Sequence, residues 1–177
     1  MRLFIALPLP EIVQHYLAEL QRSIGSDASK FSLVKNFHLT LKFLGEVSEA
    51  QLEHIHVALH GIQHDSFSFT IGTISFFPRN TSVSVIWVGV QQEQPILELQ
   101  SKVDAALVKY FPKEKQFKAH ITLARVKSLQ DRDAFIKRAE ANAVNPLEIP
   151  ADKFTLMKST LLKSGVLHEP LYEYLLQ

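Results

Sequence analysis

The sequence predicts a mixed fold of strands and helices that is built from two related halves. Three observations support this prediction. Apolar residues recur with the period of strands and then of helices along the 177-residue chain, and predicted strands often neighbour one another in pairs. No linker rich in Gly, Ser or Pro divides the chain. The phrase His-apolar-Thr-Leu occurs twice, at 38–41 and at 120–123, each time on a predicted strand beside an amphipathic helix.

The first half begins with a short apolar strand. Pro8 and Pro10 end that run too early for the core of a secretory signal, so an edge or first strand is the better interpretation. Pro10 opens an amphipathic helix that Gly25 ends, and Ser48 and Gln51 form a capping-box signature for a second helix. The predicted elements are strands at 2–7 and 38–44 and helices at 10–25 and from 48 to 59 or 61.

The second half opens with two β-rich runs joined by a hairpin-like connection at 78–80. Apolar residues at core spacing then predict a helix that ends at Tyr110. The predicted elements are strands at 66–76, 82–90 and 117–126, helices at 95–110 and 131–141, and a closing strand pair at 153–163 and 171–176.

Composition narrows the class of protein. Hydrophobic residues make up 46% and charged residues 21%, which predicts a soluble domain with a buried core and excludes a disordered or coiled-coil chain. The absence of cysteine excludes disulfides, thiolate zinc sites and a cysteine nucleophile, and a cytoplasmic location is expected. The net charge of +1 gives no global sign of a nucleic-acid or membrane partner. One basic run lies between Lys113 and Lys127, and a solvated face is its plainest interpretation.

The repeated phrase carries the functional prediction. Alternate side chains of a strand share a face, so His38 lies beside Thr40, and His120 beside Thr122. If the halves pack with approximate two-fold symmetry, the two pairs face each other. One imidazole can then accept a proton while the other donates one, and hydroxyls and nearby cations can hold phosphate oxygens. This arrangement suits in-line attack on a phosphodiester and requires no metal.

The two phrases resemble the signature of the 2H phosphoesterase superfamily, and the chain is most similar to the RNA 2',3'-cyclic phosphodiesterases, also called 2'-5' RNA ligases. The similarity runs nearly from end to end. The segments that carry it are 2–10, 36–47, the Phe77-Pro78 turn, 85–90, 117–126 and 156–175.

The resemblance implies a single α+β domain over residues 1–177, with two pseudo-symmetric lobes whose antiparallel sheets line a central cleft and whose helices pack outside. It implies metal-independent hydrolysis of RNA 2',3'-cyclic phosphate ends, or of nucleoside 2',3'-cyclic phosphates, to 2'-phosphates by a monomer without a cofactor. Reversible 2'-5' ligation belongs to some members.

The resemblance also assigns roles to site residues. His120 would be the general base and His38 the general acid, although symmetry permits the exchange. Thr40 and Thr122 would bind phosphate oxygens. Arg125 matches an arginine that the family places near the phosphate, yet strict alternation puts it on the face opposite His120. Phe43 is a candidate for contact with a base, and core packing is an equal alternative.

Three other interpretations remain open: a zinc site, a non-catalytic RNA-binding module, and a different phosphate substrate. His56, His60 and His64 have the spacing of zinc ligands on a continuous helix, but Gly61 is expected to end that helix, which favours a polar face. His15, His54 and His168 are expected at the surface, the last in a turn near Pro170.

A non-catalytic module could instead bind single-stranded RNA through the basic run and through aromatic residues such as Phe43 or Phe76. The same chemistry could also act on a small cyclic nucleotide-type phosphate, because loops at 79–82 and 165–169 are expected to form the rim that sets substrate identity.

Overall fold

The computed structural model describes residues 1–24, 30–79, 82–163 and 165–177. In this part of the chain, nine strands and four helices alternate. Their bounds are β1 Arg2–Pro8, α1 Glu11–Ser23, β2 Lys30–Leu33, β3 His38–Glu46, α2 Glu49–His60, β4 Phe67–Arg79, β5 Ser82–Gln91, α3 Gln94–Ala106, β6 Ile121–Ser128, α4 Arg132–Glu140, β7 Glu148–Ala151, β8 Lys153–Leu162 and β9 Gly165–Leu175.

The strands form one sheet in the order β7-β4-β5-β6-β3-β1-β8-β9, with β2 paired to β6. The strand pairs are antiparallel, so the α+β class with antiparallel strands is confirmed. The order is symmetric about the contact between β6 and β3, the two strands that bear the repeated phrase. The two predicted halves therefore continue into each other through that contact.

The helices cover one face of this sheet. α1 and α3 lie against β6 and β3, and Leu39, Leu41, Ile121 and Leu123 point into this layer with at most 1% of their surface exposed. The opposite face, which carries His38, Thr40, His120 and Thr122, is called the open face below. Apolar burial behind the repeated phrases thus holds two strands in place while leaving their polar side chains accessible.

The helix signals at Ser48, Gln51 and Gly61 are confirmed, whereas α3 ends at Ala106 and not at the predicted Tyr110. Ser48 and Gln51 form the capping box of α2, and Gly61 follows that helix as its C-cap. The predicted end of the first helix at Gly25 lies outside the described residues. None of the helices in the described segments is long and apolar enough to span a membrane.

The observed strands differ from the predicted ones in several places. The short strands β2 and β7 were not predicted. β1 is the first strand, one of the two predicted alternatives, but not an edge strand: it lies between β3 and β8, which is why five consecutive residues, Leu3 to Leu7, are buried. The strand expected from Phe117 begins only at Ile121. β9 begins at Gly165 rather than at Leu171, because an edge strand tolerates Pro170.

Candidate active site

The four predicted His and Thr side chains lie together on the open face. Leu39 pairs with Ile121 in the antiparallel contact between β3 and β6. Continuing this antiparallel register by one residue on each side sets His38 opposite Thr122, and Thr40 opposite His120, which immediately precedes β6. All four side chains then lie on the face away from Leu39 and Ile121. The sequence predicts that the two pairs face each other. In the structure they instead lie side by side as a two-by-two array on adjacent strands of one sheet.

A β-bulge follows the threonine in each copy of the phrase. On β3, Ala6 of β1 pairs with Thr40 and Ile5 pairs with Lys42, so Leu41 is the extra residue. On β6, Trp87 of β5 pairs with Thr122 and Ile86 pairs with Ala124, so Leu123 is the extra residue. Each bulge reverses the alternation of the side chains that come after it.

The bulges bring Phe43 and Arg125 to the open face. In both strands the order of exposure after the threonine is two buried residues and then an exposed one. Strict alternation had placed Arg125 on the face opposite His120, and that expectation is wrong because it ignored the bulge. Phe43 is 62% exposed, so the alternative of core packing is also wrong for this residue. The pseudo-symmetry of the sheet makes Phe43 and Arg125 equivalent positions.

Both catalytic candidates have the same ring orientation. The Nδ1 atom of His38 lies 3.1 Å from the carbonyl oxygen of Asn36, and that of His120 lies 2.7 Å from the carbonyl oxygen of Lys118. A carbonyl only accepts, so each Nδ1 carries the hydrogen and donates it. Each Nε2 is then the atom that can accept or donate a proton toward a substrate.

Burial and positive charge lower the pKa of each histidine in the site. Burial lowers the pKa of His38 to about 4, and the charges of His168, His120 and Arg125 act in the same direction. For His120, burial and then Arg125 lower the pKa, against the hydrogen bond to Lys118, which raises it. The guanidinium of Arg125 therefore acts on both imidazoles, and an anion bound among them would offset its effect.

His168 belongs to this site, although the sequence predicted a surface turn. It pairs with Ser159 across β8 and β9, and its Nδ1 lies 3.0 Å from the Ser159 hydroxyl. Its ring centroid is 5.3 Å from that of His38 and 4.9 Å from that of Phe4. Burial and Arg125 lower its pKa. The prediction failed because β9 starts earlier than expected and carries His168 across the sheet toward His38.

Aromatic rings enclose His120 on its other side. The ring centroid of Phe77 lies 4.9 Å from that of His120, and that of Trp87 lies 5.7 Å away, both edge to face. These rings contribute to the burial that lowers the pKa of His120. His38 has a different environment, with Phe4 at 4.8 Å and His168 beside it.

The other sequence candidates lie away from the array. Phe76 packs against Phe135 of α4 on the helix-covered face, with ring centroids 6.2 Å apart. Because Phe76 is packed against Phe135, it does not contribute to the exposed aromatic surface that an RNA-binding module would need. In the basic run, Lys118 forms an ion pair with Glu93 at 3.3 Å.

The histidines with zinc-like spacing do not converge. His56 shares a hydrogen bond of 3.0 Å with the hydroxyl of Tyr174, whereas His64 lies beyond the end of α2 and contacts the carbonyl of Asp65. Over residues 1–24, 30–79, 82–163 and 165–177, no group of three or more His, Cys, Asp or Glu side chains could hold a metal ion.

The fold and the paired histidine–threonine strands define a two-histidine phosphoesterase. The chain belongs to the 2'-5' RNA ligase superfamily, whose family model matches residues 8–161.

Curated relatives extend along nearly the whole chain. The RNA 2',3'-cyclic phosphodiesterase of Thermotoga maritima is 34% identical over 98% of this chain and 94% of its own length. The protein of the same name from Methanocaldococcus jannaschii is 31% identical over 98% of this chain and 100% of its own length.

Solved structures show the same fold. TT0787 of Thermus thermophilus superimposes with a TM-score of 0.81 at 28% identity, covering 99% of this chain and 97% of that one. LigT of Escherichia coli in its apo form gives a TM-score of 0.79 at 25% identity, covering 99% of this chain and 96% of that one.

Proposed function

We propose that the protein hydrolyses RNA 2',3'-cyclic phosphate ends to 2'-phosphates by general acid–base catalysis between His38 and His120, without a metal ion. The observation that carries the proposal is the two-by-two array, in which both Nε2 atoms are free to exchange protons with a substrate. The names of the relatives from Thermotoga maritima and Methanocaldococcus jannaschii support the substrate class.

The reaction is an in-line displacement at phosphorus. Nε2 of His120 accepts a proton from water, whose oxygen attacks the phosphorus. The bond between phosphorus and the 3' oxygen breaks, and Nε2 of His38 donates its proton to that oxygen. The products are a 2'-phosphate monoester and a 3' hydroxyl. The pseudo-symmetry of the array permits the two histidines to exchange roles, as they do when the reaction runs backward.

The remaining open-face residues act on the phosphate and on the adjoining RNA. Hydroxyls of Thr40 and Thr122 donate to the non-bridging oxygens, and Arg125 supplies positive charge where negative charge accumulates in the transition state. Phe43 offers an exposed ring for contact with a base of the RNA other than the one that bears the cyclic phosphate. These groups supply charge stabilisation and proton transfer from side chains alone, which is the basis for proposing independence from metals.

Ligation follows from the same geometry. If a 5' hydroxyl of RNA replaces water, its attack on the cyclic phosphate forms a 2'-5' linkage and releases the 3' oxygen. We include this reversible ligation in the proposal as the secondary activity. Single-stranded RNA with a cyclic phosphate end and nucleoside 2',3'-cyclic phosphates are the proposed substrates, and a monomer contains the complete array.

The test is hydrolysis of a nucleoside 2',3'-cyclic phosphate in excess EDTA, with separation of 2'- from 3'-phosphate products. Wild-type protein should form only the 2'-phosphate. His38→Ala and His120→Ala should each lower kcat by about 10²- to 10⁴-fold, because each removes one proton transfer. His15→Ala, which changes an exposed histidine on α1, is the matched control and should retain full activity.

Other outcomes contradict the proposal in distinct ways. RNA binding without turnover by the wild-type protein would favour the non-catalytic module. Turnover only of a different cyclic phosphate would change the substrate class, and loss of activity in EDTA would show that a metal takes part.

A further inference from the structure

A cavity of about 190 Å³ adjoins His38 on the open face. Its floor follows from the register of the sheet: Thr40 pairs with Ala6, Ala6 pairs with Thr155, and Thr155 pairs with Glu173. Directly paired residues of an antiparallel sheet share a face, so this row extends from the phosphate-binding Thr40 outward. The short side chain of Ala6 leaves the depression, which Met157 and Pro170 also line.

Thr155 carries a buried polar group that lacks a partner. The residue is 2% exposed, and its Oγ1 has no hydrogen-bond partner within the described residues. Unpaired buried hydroxyls are unfavourable and uncommon in folded proteins. Thr155 lines the cavity beside His38, so a ligand there can supply the missing partner.

We propose that this cavity binds the base of the cyclic nucleotide and so places the nucleoside on the His38 side of the phosphorus. A base has flat apolar faces and a polar edge, which match Met157 and Pro170 on the walls and the Thr155 hydroxyl on the floor. The space beside His120 holds the rings of Phe77 and Trp87 instead. The inference rests on the proposed function.

The placement of the base assigns the two histidines. The 3' oxygen that leaves belongs to the nucleoside bearing the cyclic phosphate, so a nucleoside on the His38 side brings that oxygen to His38. In-line attack then brings water from the His120 side. The cavity thus breaks the symmetry of the array and makes His38 the acid and His120 the base in the hydrolytic direction.

Glu173 gives the cavity a preference among bases. Its carboxylate stands at the end of the row and is held by Lys153 at 3.0 Å. A carboxylate only accepts hydrogen bonds, so it favours bases with an exocyclic amino group: adenine, cytosine and guanine. The exocyclic positions of uracil are carbonyl oxygens. The 2',3'-cyclic phosphates of the amino-bearing bases should therefore have higher kcat/KM than that of uridine, and Glu173→Gln should narrow the difference.

The deciding experiment compares adenosine 2',3'-cyclic phosphate with glycerol 1,2-cyclic phosphate, which carries the reacting ring but no base. Thr155→Val keeps the shape of the side chain and removes the hydroxyl. We expect it to lower kcat/KM for the nucleotide about 3- to 10-fold more than for the glycerol compound, the effect of one hydrogen bond.

Thr160→Val is the matched control. Thr160 lies on the same strand, and its buried hydroxyl also has no hydrogen-bond partner among the residues that the structure describes. It is five positions after Thr155, so its side chain is on the other face of the sheet. It should leave the ratio of the two kcat/KM values unchanged. An equal loss on both substrates in Thr155→Val, or the same change in Thr160→Val, would overturn the base site.

The base site and the proposed function fail in different ways. If the wild-type protein hydrolyses neither compound, the proposed function is wrong. Binding of adenosine 2'-phosphate, measured by calorimetry, then tests whether the cavity binds the base. Weaker binding to Thr155→Val than to Thr160→Val would keep the base site, and equal binding would overturn it.

Discussion

Arg125 is the residue whose charge acts on all three histidines of the site, lowering the pKa of each. The proposed reaction needs one of His38 and His120 protonated and the other neutral. Since the pKa of His38 is about 4 and that of His120 is below the ordinary 6.5, both rings of the free protein are mainly neutral at pH 7. The pH optimum of kcat/KM, which reports the free enzyme, should therefore lie below 6.5.

Replacing Arg125 tests the electrostatic cause directly. Arg125→Gln removes a positive charge that disfavours protonation, so the pKa values of the histidines rise and the optimum of kcat/KM moves to higher pH. Activity at the optimum should fall by about 10²-fold, as for loss of one group that stabilises transition-state charge. Lys127→Gln, an exposed cation two residues further along β6, is the control. An optimum that stays fixed or moves to lower pH contradicts this account.

At the scale of elements, the bulges show what the sequence could and could not predict. The two phrases, their strands and the shared face of His38 and Thr40 follow from period-two alternation. The position of Arg125 on that face does not follow from alternation, because the extra residue, Leu123, is identified only when β6 is paired with β5. His168 was missed for a similar reason: its approach to His38 depends on pairing among β1, β8 and β9, which no local pattern encodes.

A buried ion pair links the elements behind the site. Lys42 follows the bulge on β3, and its Nζ lies 2.5 Å from Oδ1 of Asp104 on α3. Asp104 also accepts from the backbone N–H of Glu114, in the segment that leads to the second phrase. Both members of the pair are at least 95% buried. Burial acts to raise the pKa of Asp104, but hydrogen bonds from Lys42, Glu114 and Gln100 hold it below its usual range.

Removing the charge of Asp104 should destabilise the fold. Asp104→Asn leaves the Lys42 ammonium buried without its counter-charge, and we expect a loss of about 3 to 5 kcal/mol in the free energy of unfolding by urea. The double variant Lys42→Met with Asp104→Asn leaves no unpaired charge. Its loss of unfolding free energy should therefore be at least about 1 kcal/mol smaller than the sum of the losses in the two single variants. Additive losses would show that the two residues act independently.

At the scale of the whole molecule, the halves are interlocked rather than sequential. The half of the sheet centred on β3 takes β1 from the N-terminal end of the sequence and β8 and β9 from the C-terminal end. The half centred on β6 is built from the strands between them. Each half contributes one histidine and one threonine, so the array exists only while β3 and β6 are paired at Leu39 and Ile121.

This interlocking predicts a single cooperative transition, as expected of one domain spanning residues 1–177. Trp87, the one tryptophan in the sequence, lies in the half centred on β6, so its fluorescence reports that half, while far-ultraviolet circular dichroism reports both. The urea midpoints should coincide for the two signals and for the loss of cyclic phosphodiesterase activity. They should do so because the halves are interleaved along the chain and neither can form without the other. Fluorescence that changes at a lower urea concentration than circular dichroism would show that the halves unfold separately, and the sheet would then join two domains.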